Sequence, residues 1–402
     1  MRISTNTIYD TSVSAINRQQ AQLLHTQQQL SANRRILTPS DDPVAASRAL
    51  EVTQADSINT QYGVNAKAAS GRLSLTDQAL GRVTDLLQSI RQSAVATGNG
   101  SFTAADRASV AQDIQSNYDV LLTVANTTDG EGNFLFSGFQ TDLKPFSPTA
   151  TGIQYLGDDG QRLVQVSSGR QIAVSESGAD VFMRVRSGNG AFAVSAAAAN
   201  TGNATYSPGT VTDPTALTGH RYQITFTVTG TTTTYDVLDV TAGTTVAAAQ
   251  PYTSGASIAF DGMSLQVSGK PASGDVVQTD PSTNLDIFKT VSNLIAALKA
   301  PGTDSASQAR LQNSLTDALT NLDQDLNKTS SVRSEVGTRM RETDNQTNSS
   351  EDLSIQYKQV LSNLQDLDYA KAVSDLTRQQ TNLQAAQKTF LQTAQLSLFN
   401  YI

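Results

Sequence analysis

The sequence predicts an α+β protein: a long, coiled-coil-like helical rod built from both chain ends, with an all-β domain inserted between them. Three observations predict it. Residues 13–30 place Val13, Ile16, Leu23 and Leu30 at heptad-like spacing, with Gln20 and Gln27 in the intervening slots. Residues 373–398 repeat the pattern with Val373, Leu376, Leu383, Phe390, Ala394 and Leu398, and with Gln380 and Gln387 between them. The stretch from 145 to 284 instead carries Gly, Thr and Ser with period-two apolar runs. A seven-residue apolar repeat buries a narrow stripe of helix against other helices, whereas strict alternation marks a half-buried strand.

The first helix is expected over 10–34, capped by Asp10, Thr11 or Ser12, since the run holds no Gly or Pro. It breaks at Leu37-Thr38-Pro39-Ser40-Asp41-Asp42-Pro43, where Ser40, Asp41 or Asp42 can cap a new helix and Pro43 suits its first turn. That helix runs to about Thr97, with Gly63, Gly71 and Gly81 weakening it. Gly98-Asn99-Gly100 turns the chain, and Ser101 or Thr103 caps a third helix over about 104–127. Residues 131–139, with Phe134, Phe136 and Phe139 punctuated by glycine, read as a turn and a short strand or hairpin.

Within 145–284, runs such as Tyr222 to Val228 and Met263 to Val267 alternate, and residues 201–250 hold 16 threonines, a composition suited to an exposed sheet or its loops. Asp286 to Lys299 is a short apolar-periodic helix, broken by Pro301-Gly302. From Asp304 to Asn400 there is no proline and a single glycine, Gly337. An unbroken helix of that length would span on the order of 140 Å, so a bend is expected around 345–352, where Asn, Gln, Thr, Ser, Glu and Asp cluster. The domains expected are 1–40 with 360–402, 41–144 with 285–359, and the insert 145–284.

Composition excludes several functions. The chain has no cysteine, which removes disulfides, thiolate metal sites and Cys nucleophiles; chance explains this as simply as selection for a chain that is unfolded and exported. Two histidines, His25 and His220, without an acidic cluster make no metal site, and no cofactor is implied. The net charge of −8 is spread along the chain, so no basic face for nucleic acid is visible. No apolar run approaches the roughly 20 residues of a membrane span. Met1 to Asn17 lack the apolar region of a cleavable secretory signal. No nucleophile elbow, P-loop or zinc-protease motif is present, so no catalytic residue is expected.

Several segments resemble one family, the bacterial flagellins and their junction proteins. Ile36 to Ala46 resembles that family's N-terminal bend, and Leu73 to Leu80 its long N-terminal helix. Arg333, Gly337 and Arg339-Met340 resemble its C-terminal helix, although Thr338 and a missing Asn depart from flagellin proper. Gly132 to Phe139 followed by Pro145-Phe146, and the ending Leu383 to Gln387 and Leu396 to Ile402, are similar to the branch that joins hook to filament. The resemblance covers 1–146 and 284–402 and leaves out the insert.

It implies a structural adaptor between the hook-side junction protein FlgK and the flagellin filament. It also implies assembly with further copies of itself outside the cell, unfolded type III export without a cleaved signal, and a chaperone, FlgN, on the C-terminal region. The terminal helices carry so many Gln and Ala seam slots that each is marginal alone. They are therefore expected to form the inner, tube-lining layer on assembly; an ordinary intramolecular coiled coil is the other reading. Pro39 to Pro43 would be a fixed bend between tube layers or simply a helix–helix turn. Phe134, Phe136 and Phe139 would pack at the base of the β domain, a partner contact being the second reading. A divergent filament subunit, an adhesin with a helical stalk and an enzyme carried on the insert remain as alternative functions.

Overall fold

The computed structural model describes residues 5–98 and 102–395. The chain divides into two compact units, Met1–Asn65 with Asn345–Ile402, and Ala66–Asp344. Among the described residues, six α-helices lie toward the chain ends and fifteen strands lie between them in sequence.

The first unit holds α1 (Thr5–Ala32), the start of α2 (Pro43–Thr97), the end of α5 (Ser305–Gln365) and α6 (Tyr369–Gln395). The helix expected to start at Asp10 to Ser12 is already helical at Thr5. Residues 5–12 contain no breaker, and the Thr11 hydroxyl donates back to the Thr7 carbonyl at 2.5 Å, a bond made inside a helix rather than at its cap.

The bend expected at 345–352 is absent: α5 runs unbroken through it. Those residues are polar, but none lacks a backbone N–H or a Cβ, and Ser350 is buried against Asn59. The break falls at 366–368, where Asp366 bridges Arg34 and the Asp368 carboxylate caps α6 by accepting from the Lys371 N–H at 3.0 Å.

In the second unit α2 continues to Thr97 without interruption at its glycines, and α3 (Ala104–Ala125) starts at Thr103 in a capping box with Asp106. No strand forms over 131–139. A single bridge joins Thr128 and Phe134, Gly132 and Gly138 have φ of +92° and +74°, and the Asp129 carboxylate accepts from the N–H groups of Glu131 and Asn133 at 2.9 Å each. These are turn geometries.

The β region has two cores. Near the helices, β1 (Phe146–Thr149) pairs with β2 (Gly152–Tyr155), and β3 (Leu163–Ser167) with β4 (Arg170–Ala173). A π-helical turn, Ala179–Met183, leads to β5 (Val185–Arg186). Their apolar side chains join the helical core. Phe136, Phe146, Phe182 and Phe288 meet there, with ring centroids 5.2–5.9 Å apart, alongside Leu80, Leu87, Ile114, Leu121 and Leu322. Each such fully buried side chain contributes about 1.5–3 kcal/mol. α4 (Ile287–Lys299), capped by Asp286, closes this core against α3.

The outer body has its own core. β9 (Tyr222–Thr229), β10 (Thr232–Asp239), β11 (Thr244–Pro251), β14 (Val276–Pro281) and β6 (Phe192–Ala196) form an antiparallel sheet in the order β11-β10-β9-β14-β6. A second sheet holds β12 (Ser257–Phe260), β13 (Met263–Ser268), β7 (Thr205–Tyr206) and β8 (Thr210–Val211). Tyr222, Ile224, Phe226, Val237, Leu265 and Val267 fill the space between them. The chain leaves through β15 (Asn284–Leu285), which pairs with β5.

A polar stripe of α5 docks this body, and it reads mostly backbone. Asn313 accepts from the Tyr206 N–H at 3.1 Å and donates to the Ala204 carbonyl at 3.1 Å, while Asn321 accepts from the Gly188 N–H at 2.7 Å. Asp317 accepts from the Tyr206 hydroxyl at 2.8 Å.

Candidate assembly surface

The candidate site is the helix pair α1–α6 and the bend beside it, all within the first unit. The Tyr9 and Phe390 rings lie 5.1 Å apart at one end, and Arg34 and Asp366 pair at the other. That antiparallel register sets Ile16 opposite Leu383 and Leu23 opposite Leu376. Val13, Ile16, Leu23 and Leu30 on α1, and Leu376, Leu383 and Phe390 on α6, are each half-buried.

Five expected positions differ. Gln20 and Gln27 are exposed, and Gln19 and Thr26 occupy the inward slots; on α6 Gln379 and Ala386 do so rather than Gln380 and Gln387. A heptad steps by three and then four residues, and the sequence permits either order. Val373 is 39% exposed, and Ala372 takes its place in the seam. Leu398 lies outside the described residues.

The bend is held by two acids. Asp41 accepts from the Leu37 and Thr38 N–H groups at 2.9 Å each and meets His25 Nε2 at 3.1 Å. Those backbone donors hold its carboxyl down to about 2. Asp42 caps α2, accepting from the Ala45 N–H at 3.0 Å, and takes Arg35 Nη1 at 3.2 Å on its other oxygen. Pro43 is the first residue of α2, while Thr38 and Ser40 share a hydroxyl contact of 2.7 Å. Pro39 lies within this turn. Sequence reading missed the role of Arg35. Its guanidinium donates to the Leu364 carbonyl and its N–H to the Gln365 carbonyl, both at 2.7 Å, so the bend is fastened to the break before α6.

The three phenylalanines separate. Phe136 is fully buried and Phe134 half-buried, whereas Phe139 is 63% exposed over Gly160. Packing at the base of the β region therefore belongs to Phe136, not to Phe139.

Several large apolar side chains of the first unit are exposed among the described residues. Leu24 is 57% exposed, Val44 77%, Leu50 70% and Ile355 66%, with Tyr369 and Leu391 also exposed. Exposed apolar side chains on helices are candidates for contact with other protein where they adjoin. Among the described residues, no helix is long and apolar enough to cross a membrane.

Residues 3–141 match the bacterial flagellin N-terminal helical region, and residues 319–402 match its C-terminal helical region. A solved structure of flagellar hook associated protein-3 from Legionella pneumophila is 31% identical, with a TM-score of 0.74, over 78% of this chain and 98% of that one. The chain belongs to the flagellar hook-associated protein 3 family. FlgL of Xanthomonas campestris, at 29% identity and a TM-score of 0.72, covers 77% of this chain and is itself covered to 99%. Flagellar hook-associated protein 3 of Salmonella typhimurium is 28% identical over 400 residues, 99% of each chain. Membership in the hook-associated protein 3 family makes this chain a structural component of the flagellum, with flagellin-type helices at its ends and an antiparallel β region between them.

Proposed function

We propose that this chain is the adaptor on which the flagellin filament starts, seated on the hook through FlgK. A solved relative, 30% identical, is described as the flagellar junction protein FlgL from Legionella pneumophila, which supports this role. The observation that carries the reading is the α1–α6 pair: a half-buried seam with outward apolar residues and little charge, completed by neighbouring copies when a tube forms. On this reading residues 1–40 and 360–402 line the tube, 41–144 with 285–359 form the next layer, and 145–284 lies outermost. The bend at Pro39 to Pro43 links the two helical layers. The chain leaves the cell unfolded through type III export, its C-terminal region held beforehand by FlgN.

Deleting the gene and imaging the cells tests this. Bare hooks, with unpolymerised flagellin in the medium, are expected. Normal filaments and swimming would overturn the adaptor role.

A further inference from the structure

Four carboxylates are buried among the described residues: Glu176, Asp239, Asp275 and Asp325. Three of them have the partners that a buried charge needs. Glu176 is held by Arg339 and Gln161, and Asp239 by His220 and the N–H groups of Thr241 and Ala242. Asp275 accepts from the N–H groups of Thr201, Gly202 and Ala272 at 2.8–3.0 Å. Asp325 has no such set. It is 1% exposed, on the face of α5 that also buries Leu322 and Thr329, and its Oδ2 accepts no hydrogen bond. Asp56 also encloses an oxygen without a donor, but its side chain is half-buried rather than sealed.

The elements around Asp325 offer it no cation among the described residues. α4 brings Asp286 at its cap and Lys289, which is exposed and acts on Asp286. α3 brings Tyr118, which feels the same Asp286. The π-helical turn brings Asp180, taken by Lys328 of α5 at 2.8 Å, and α2 brings Arg91, taken by Asp323 of α5 at 2.6 Å. Burial therefore pushes the Asp325 carboxyl well up, the like charge of Asp286 adds to this, and the Thr290 hydroxyl alone opposes. The stripe that docks the outer body, Asn313, Asp317 and Asn321, reaches Asp325 at its next four-residue step. Asp317 is in a similar position. It lines a cavity of about 210 Å³ with Asn293 and Pro208, and its partner is the Tyr206 hydroxyl rather than a cation.

We propose that α5 is a proton-operated weak point of the second unit: folding takes up one proton at Asp325 and another at Asp317, so the native state is firmest in acid and easiest to open at neutral and alkaline pH. The step is a plain protonation, carboxylate plus proton giving carboxylic acid, with solvent as the source. The unfolded chain, whose Asp side chains titrate near about 4, gives both protons up. Between there and its native value, each acid lowers the folding constant about tenfold per pH unit. A sealed acid without a cation works against stability, since an amide or apolar side chain of its size carries no such cost. That suits a chain which must be unfolded at the pH of the cell interior and is held, once assembled, by contacts with its neighbours. This use rests on the export reading above; the proton coupling does not.

Asp325→Asn in the full chain keeps the shape of the side chain and removes its titration. Followed by urea unfolding, the folding constant of the variant should gain on the parent's by at least about tenfold from pH 5 to pH 8. An offset that is the same at both values, including a loss caused by the amide lacking a partner, overturns the proposal. Asp325→Leu repeats the comparison if the asparagine variant does not fold. Should neither fold, refolding of the His25→Gln, His220→Gln chain from urea in weakly buffered solution at pH 7 decides: uptake of about one to two protons supports the coupling, and no uptake overturns it. For the use in export, cells making Asp325→Asn should secrete less of this chain than the parent strain at equal expression. Equal secretion of a variant that shows the pH effect overturns that use. Failure of the export reading shows separately, as parental chain in the medium of cells that lack the flagellar export channel.

Discussion

Asn59 and Ser350 hold each other's backbone across the first unit. Asn59 Nδ2 donates to the Ser350 carbonyl at 2.7 Å, and the Ser350 hydroxyl donates to the Asn59 carbonyl at 2.9 Å. Gly63 makes room for this, since a Cβ there would lie 2.8 Å from the serine Oγ. The pair ties one turn of α2 to one turn of α5, so a slip of either helix breaks both bonds. Asn59→Ala or Ser350→Ala is expected to cost about 1–3 kcal/mol, and the double variant less than the sum. Urea unfolding of the four proteins checks this; strict additivity would refute the coupling.

The aromatic residues at 136 and 139 are predicted to differ sharply. Phe136 packs edge-on to Phe182 with ring centroids 5.2 Å apart, so Phe136→Ala should cost about 3–5 kcal/mol. Phe139→Ala removes a mainly exposed ring and should stay within about 1 kcal/mol. Thermal unfolding of both variants separates the two, and equal losses would contradict the burial described above.

Arg339 on α5 pairs with the buried Glu176, whose other carboxylate oxygen accepts from Gln161 at 3.2 Å. Burial pushes the Glu176 carboxyl up, with Arg339 opposing it. Arg339→Leu would leave that acid without its cation, and a loss of about 3–5 kcal/mol is expected. Adding Glu176→Gln to the same chain should recover part of it. No recovery would mean that the arginine acts through packing of its stem instead.

Asp317 makes docking of the outer body pH-dependent. Burial pushes its carboxyl up to about 7, with the Tyr206 hydroxyl opposing. An acid whose native pKa is raised holds its proton in the folded state after the unfolded chain, at about 4, has lost it. The stability that Asp317 contributes is therefore full below pH ~4, declines as pH rises to ~7 and is level above that. Asp317→Asn keeps an acceptor for Tyr206 and removes the titration. Its melting temperature should exceed the parent's at pH 8 and nearly match it at pH 5. The same gain at both values would place the effect elsewhere.

Local signals read well in the sequence and non-local ones did not. The start of α2 at Pro43 and the Thr103 cap of α3 each depend on a few adjacent residues, and each appears where those residues point. The break before α6 was hidden because Asp366-Leu367-Asp368 contains no Gly or Pro; it exists because Arg34 and Arg35, more than 300 positions away, supply partners for it. The polar run 345–352 suggested a bend, yet Asn59 satisfies Ser350 and the helix continues. The seam was found one slot off at Gln19 and Gln379, since a seven-residue repeat leaves its inner step undecided. Two cores in the β region were beyond reach, because β1 to β5 bury their apolar faces on helices rather than on neighbouring strands.

The neck formed by β5 and β15 gives the outer body an unusual freedom. Arg186 faces Asn284 and Val185 faces Leu285, so the chain enters and leaves at a single doorway. In connectivity, residues 187–283 are one long loop whose ends already touch. Closing such a loop costs little more when it grows, because the entropy rises only with the logarithm of its length. A foreign domain grafted at the same doorway is therefore expected to be tolerated where it keeps the bonds that Asn313, Asp317 and Asn321 of α5 make with this body.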